Sequence, residues 1–288
     1  MLSEEIVVRN PGLKWPEGYQ RFWFGGSAIR SNWMNALSTL FPEGERFFAD
    51  SVRHYLGEIR DPALLAQARA FIGQEGMHAR EHHRFNDLMK AQGYPVERME
   101  AKVRQILDHV RNRKRPMTML AVTCALEHFT TILGTEVLRN PTFHEPMSGE
   151  YLRMWCWHGL EELEHKTVAF DVFVAIGGTY RERVAKMIDA SLVLWPLLFS
   201  IMLAYQSHDR RLWSLGEWWT ALMWAFVWPG LLRRLLPRYL AYFRRGYHPS
   251  QNPDADLIAA WRERLALVPR TPDQSTRSEE IGASTIPS

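Results

Sequence analysis

The chain has 288 residues, 46% of them hydrophobic, and a formal net charge of +3. That is enough for one large domain or two small ones around a true core. Basic residues are massed only in "RNRKR" at 111–115, so no nucleic-acid footprint exists, and two cysteines, Cys124 and Cys156, make no disulfide framework.

The N-terminus, "MLSEEIVVRNPGLKWPEG", is acidic and broken by prolines, unlike a secretory signal. Together with the cysteine usage this predicts a cytoplasmic setting. Pro42 in "LFPEGERFFADSVRHYL" is placed in the first turn of a helix, where its missing N–H costs nothing. Residues 1–40 are therefore expected to form an N-terminal segment.

Asp61-Pro62 caps a second helix that closes at Gly93 and Pro95, and a shorter helix follows from about Glu97 to Arg113. Pro116 starts a fourth, which ends at Asn140-Pro141. Ser148 is expected to cap the helix carrying "HGLEELEH" (158–165), with Gly177-Gly178 stopping it. Thr179 opens a long apolar helix to about Gln206. "SLGE" at 214–217 is a capping-box pattern, and Pro229 is expected to kink the helix it starts. No period-two alternation appears, so the fold class is all-α. Residues 41–178 are read as a helical bundle, 179–267 as a hydrophobic extension, and 268–288 as a disordered tail.

One constellation carries chemistry. Glu162 and His165 share a helix face, with His158 one turn before them. The same Glu-x-x-His spacing recurs at Glu75 and His78, and only these two histidines have a glutamate three residues earlier. Glu127 stands in the nearly uncharged "CALEHF", and Glu45 in "PEGERFF". The order Glu, Glu-x-x-His, Glu, Glu-x-x-His, one element per long helix, is what a four-helix bundle needs to hold two metal ions. Four buried carboxylates without cations would cost several kcal/mol each, roughly. Carboxylate and imidazole together suit iron or manganese better than structural zinc.

Glu161 and Glu164 are expected to face neighbours or water, and Glu136, nine residues beyond Glu127, the opposite face of its helix. "HAREH" at 78–82 also matches the inverted zinc-peptidase signature, with His78 and His82 as ligands and Glu81 as base. That reading leaves Glu45, Glu127 and the second Glu-x-x-His unexplained, so His82 is read instead as a residue supporting the ligands.

With these residues in place, the ligand pattern resembles the ferritin-like di-iron carboxylate proteins. The extra His158 makes it similar to the arylamine N-oxygenase group, whose motif falls on Glu45, Glu75, His78, Glu127, His158, Glu162 and His165. The chain also resembles, over most of its length, a bacterial family of predicted metal-dependent hydrolases. The resemblance to the di-iron oxygenases implies two iron ions, with manganese as the variant, and a site that activates dioxygen with an external electron donor to oxidise a small hydrophobic substrate. A di-metal or zinc-dependent hydrolase and a non-catalytic membrane-associated metal-binding protein are the alternatives. Phe48, Phe71, Phe85 and Thr131 are candidates for the pocket wall.

Two segments, 187–206 and 218–243, are very apolar, and six of the twelve tryptophans fall between 195 and 228. They read as core helices or a homodimer interface, as a monotopic membrane attachment with tryptophans and arginines at headgroup level, or as a spanning hairpin.

Overall fold

The computed structural model describes residues 6–15 and 17–265, and no β-strand occurs among them. Eleven α-helices follow in order. Four long ones make the bundle: α1 (Ala28–Arg53), α2 (Pro62–Ala91), α4 (Pro116–Arg139) and α6 (Gly149–His165). Their directions follow from their contacts. Ser38 of α1 meets His82 and Asn86 of α2, Ser51 of α1 meets Thr123 of α4, and Gln74 of α2 meets His165 of α6. Helices α1 and α6 thus run one way, α2 and α4 the other.

Pro42 lies inside α1 rather than at its start, so the bundle begins at Ala28 and crosses the boundary expected at residue 40. A proline within a helix frees the carbonyl four residues back. Here that carbonyl belongs to Ser38, and Asn86 Nδ2 donates to it at 3.1 Å. The helix continues because a neighbour supplies the lost partner.

Helices α4 and α6 approach closely at two glycines. A Cβ on Gly159 would stand 3.2 Å from the Gly134 carbonyl oxygen and 3.3 Å from its Cα. This crossing brings Glu127 on one helix beside Glu162 and His165 on the other.

The remaining elements wrap the bundle. Helix α3 (Val96–Arg113) packs on α1, and the short α5 (Pro141–His144) links α4 to α6. The octapeptide helix ends at His165 rather than at Gly177, and α7 (Val168–Ala175) follows a break at Lys166-Thr167. Helix α8 (Tyr180–His208) opens with a complete Thr179–Glu182 capping box and lies on α1 and α4. The hydrophobic extension is therefore part of the same packed body. Helix α9 (Leu215–Leu222), a π-turn at Met223–Val227, α10 (Leu231–Ala241) and α11 (Ala255–Leu265) complete it.

Ser214 makes no side-chain cap on α9, contrary to the capping-box expectation. Its supposed partner Glu217 instead accepts from Ser27 Oγ at 3.1 Å, Ile29 N at 2.9 Å and Ala28 N at 3.3 Å. A carboxylate from the C-terminal third thereby caps the first bundle helix, where free N–H groups and the helix dipole favour negative charge. The helix does not run through Pro229 with a kink; it has ended before the cis Trp228–Pro229 bond, and α10 starts after it. The tail expected from residue 268 onward lies outside the described residues.

Candidate metal centre

All seven sequence-selected donors meet in the middle of the bundle, and all are buried. They fall into two groups that share one carboxylate. Glu162 Oε1 lies 3.0 Å from His158 Nε2 and 3.7 Å from His78 Nδ1. Glu162 Oε2 lies 3.6 Å from His165 Nε2. Around His165 Nε2 are also Glu75 Oε1 at 3.3 Å and Glu127 Oε2 at 3.4 Å, while Glu45 Oε1 is 3.9 Å from His158 Nε2. Each group therefore combines carboxylate oxygen with imidazole nitrogen.

The hydrogen-bond accounting fits a metal and little else. Both oxygens of Glu45, Glu75 and Glu127, together with Glu162 Oε2 and His165 Nε2, are buried with no hydrogen-bond partner. Buried polar atoms are nearly always paired, so such a cluster needs a cause. Donors bound at roughly 2.0–2.2 Å to one ion stand about 3–3.5 Å from each other. The closest nitrogen–oxygen separations around His158 and His165 fall in that range.

Three outer networks aim the imidazoles. Gln74 Nε2 donates to Glu164 Oε2 and Val7 O, which leaves Gln74 Oε1 to accept from His165 Nδ1 at 3.0 Å. The lone pair of His165 Nε2 then points into the centre. On the other side Asn86 Nδ2 donates to Ser38 O and to Glu100 Oε1, so Asn86 Oδ1 accepts from Ser38 Oγ at 2.8 Å. Having spent its one proton, Ser38 Oγ accepts from His82 Nδ1 at 2.9 Å. His82 Nε2 must then accept from His158 Nδ1 at 2.6 Å, which turns the lone pair of His158 Nε2 toward Glu162. Fixing a ligand's tautomer through its second nitrogen is the usual task of such partners.

In the third network Glu161 and Glu164 face neighbours rather than water: both side chains are covered, and Glu161 Oε2 lies 3.2 Å from His78 Nε2. Arg9 holds the pair, at 2.6 Å from Glu164 and 3.4 Å from Glu161, and Arg262 adds a 2.6 Å contact to Glu164. Nothing in the local sequence signals Arg9, because it reaches the site from an irregular N-terminal segment. Gln74, by contrast, sits beside Glu75 and could have been suspected. Glu136 is also buried, paired with Arg234 at 2.6 Å away from the donors.

Burial pushes Glu45 and Glu75 well above the carboxylate range, with neighbouring carboxylates adding to the shift, and raises Glu127 to about 7. Burial also raises Glu161, to about 8, against the pull of Arg9. Glu162 goes the other way: its burial penalty is overcome by His165 and His158, which hold it well below the ordinary value. Burial lowers His78, whereas His165 is raised because Glu162 and Glu127 outweigh its burial.

The zinc-peptidase alternative finds no base here. Glu81 accepts from Arg80 and from Arg84 Nη1 at 2.8 Å, committed to guanidinium groups. Of the expected wall residues, Phe71 lies 4.9 Å from the His165 ring, whereas Phe85 packs among Trp15, Tyr19, Trp23 and Tyr151 away from the donors. Phe48 lines a large apolar cavity of about 220 Å³ between α3 and α8, and Thr131 lines a polar one of about 10 Å³ that reaches Glu127.

No curated protein and no solved structure matches the chain, so the resemblance to ferritin-like and N-oxygenase proteins rests on the ligand pattern alone. A family model does match, over residues 7–253, and it spans every donor and every residue of the outer networks except Arg262. The chain belongs to the family described as predicted metal-dependent hydrolases.

Proposed function

We propose that this protein is an enzyme with a dinuclear metal centre held by Glu45, Glu75, His78, Glu127, His158, Glu162 and His165. The observation that carries this reading is the sharing of Glu162: one oxygen faces His158 and His78, the other faces His165. A carboxylate set between two donor groups suits two cations, and four carboxylates balance two divalent ions.

Hydrolysis is the reaction we place first. The family description supports it, and so does the small cavity beside Glu127, whose size suits one water and whose walls include Lys166, His128 and Tyr247. Bound divalent metal supplies the Lewis acidity that makes water nucleophilic near neutral pH. The chain's own part is to hold the donors, to keep bulk water out through Phe41, Phe71 and Trp157, and to fix the imidazole tautomers through Gln74 and His82.

A second reading, oxidation of an organic substrate by dioxygen at a di-iron centre, is favoured by the ligand order, which is that of the di-iron and di-manganese carboxylate bundles. It needs an external electron donor; hydrolysis does not. Turnover of ester and amide libraries by the metal-loaded protein, in sealed anaerobic vessels without reductant, separates the two. Hydrolysis predicts undiminished product. Product only when oxygen and a reductant are both supplied would overturn it in favour of oxidation.

A further inference from the structure

The large cavity shares α4 with the water-sized one but no lining residue, and the proposed chemistry has not used it. It is a groove between α3 and α8 floored by α1 and α4. Along α8 its lining runs from Lys186 to Leu198, about 18 Å at the helical rise. Its walls are leucine, valine, isoleucine and aromatic side chains nearly throughout. Such a shape, long, narrow and without polar contacts along its length, matches one unbranched hydrocarbon chain better than a compact or polar ligand.

The two ends differ. Trp33 and Trp195, with rings 6.2 Å apart, close one end. At the other stand Lys114, Thr118, Lys186 and Asp189. Lys186 is paired with Asp189 at 2.5 Å, whereas the Lys114 ammonium has no hydrogen bond or ion pair among the described residues. One uncompensated cation at the mouth of an apolar groove suits an acidic head group.

The groove also passes the centre. Gly44 and Phe48 in its wall flank Glu45 on α1, and Leu126 and Thr130 flank Glu127 on α4. The Phe41 ring lines the groove on one side and lies 4.7 Å from the His158 ring on the other. Gly44 leaves the wall thin: a Cβ there would meet only Phe48, at 3.9 Å.

We infer that the groove binds one long-chain amphiphile with an acidic head group, its chain lying past Gly44 and its head at Lys114. This rests on the metal-enzyme reading only for the consequence that the amphiphile is substrate; the binding itself does not need the metals.

The test is equilibrium binding of hexadecanoic acid and of hexadecanol to the full chain, measured by calorimetry on metal-loaded and metal-stripped protein. One molecule of the acid per chain is expected, saturably, in both forms. Gly44→Phe starts from a Cβ that meets only the Phe48 ring, at 3.9 Å, in the groove wall, and should weaken both ligands by about tenfold or more, the scale of losing apolar contacts in a pocket. Lys114→Glu should weaken the acid and leave the alcohol unchanged. Circular dichroism and metal content confirm that each variant is folded and loaded. Absence of saturable binding, or equal affinity in folded Gly44→Phe, overturns the groove assignment while leaving a two-metal result standing. A protein that cannot be loaded with two metals yet still binds the acid overturns the enzyme reading and leaves the groove standing. Equal loss of acid and alcohol in Lys114→Glu overturns the placement of the head group.

Discussion

Gln74 and His82 meet the second nitrogens of His165 and His158, which makes them informative residues to change. Gln74→Leu keeps the size but removes the acceptor, so His165 can rotate or take the other tautomer. We expect metal affinity to fall by about ten- to a hundredfold, the usual cost of losing such a partner, measured by competition with a chelator. His158→Ala leaves six donors, so both metals should stay while the rate of turnover changes. Metal analysis beside kinetics checks that split. The donors themselves were legible in the sequence because an i, i+3 spacing on two helices and one isolated acid on each of two others is an unusual pattern. Their supports were not legible. Arg9 comes from a segment without periodicity, and for Glu161 rotation about one helix left neighbours and water open, because it says nothing of what packs there.

The protonation of these residues gives a direction for stability without metal. Glu127 is raised to about 7, Glu161 to about 8, Glu45 and Glu75 are raised well above their ordinary value, and His165 is raised as well. His78, His82 and His128, lowered by burial, act the other way until the unfolded imidazoles lose their protons. Above about pH 6.5 the folded, metal-free chain therefore binds more protons than the unfolded chain, and its stability falls as pH rises. Glu162, held low, has already contributed its part by the start of that window. Metal reverses the sign, because it competes with those protons and binds more tightly as pH rises. Thermal unfolding of metal-stripped protein should show a midpoint that drops from about pH 6.5 to about pH 8, with the loaded protein gaining more from its metals at the upper end. A stripped protein most stable at pH 8 would contradict the assignment of these buried protons.

At the scale of elements, two contacts set where the donors stand. The Gly134–Gly159 approach leaves no space for a side chain, since the neighbours are backbone. Gly159→Val should cost about 1–3 kcal/mol of stability by overpacking. It should also weaken metal binding, because His158 and Glu162 move with their helix. Urea unfolding and metal titration report the two effects separately. Glu217→Ala leaves Ser27 as the N-cap of α1 but removes the carboxylate that accepts from Ala28 and Ile29; it should cost about 1 kcal/mol without changing metal load, since Glu45 lies several turns away. Most helices were legible from their capping residues and prolines. Pro42 was the exception: a proline reads as a helix start unless something distant satisfies the carbonyl it frees, and Asn86 is 44 residues further on. Glu217 misled in the same way, because its capping partner belongs to another helix.

At the scale of the molecule, the exposed apolar residues gather on α8, α9 and the turn that follows. Leu192, Phe199, Trp213, Leu215, Trp219 and Trp228 are all exposed, Trp213 at 90%. Helix α8 is apolar enough to cross a membrane by length and composition, and only 28% of that window is buried. A patch of this kind marks an interaction surface. With Arg210, Arg211, Arg233 and Arg244 nearby in sequence, we expect it to bind anionic vesicles and to be released by salt and mild detergent together. A co-flotation assay checks this. A salt-independent dimer without vesicle binding would point to a second copy of the chain as the partner instead. The sequence could flag this surface but not choose its occupant, because tryptophan-rich helices serve both uses.

The proposed chemistry depends on two metal ions sitting between the two donor groups that Glu162 joins. Metal analysis of the purified full chain, paired with Glu162→Ala and His82→Ala, tests that most directly. The account predicts about two divalent transition-metal ions per chain, largely lost in Glu162→Ala and weakened but present in His82→Ala. A single tightly held zinc, kept in Glu162→Ala and lost in His82→Ala, would contradict it.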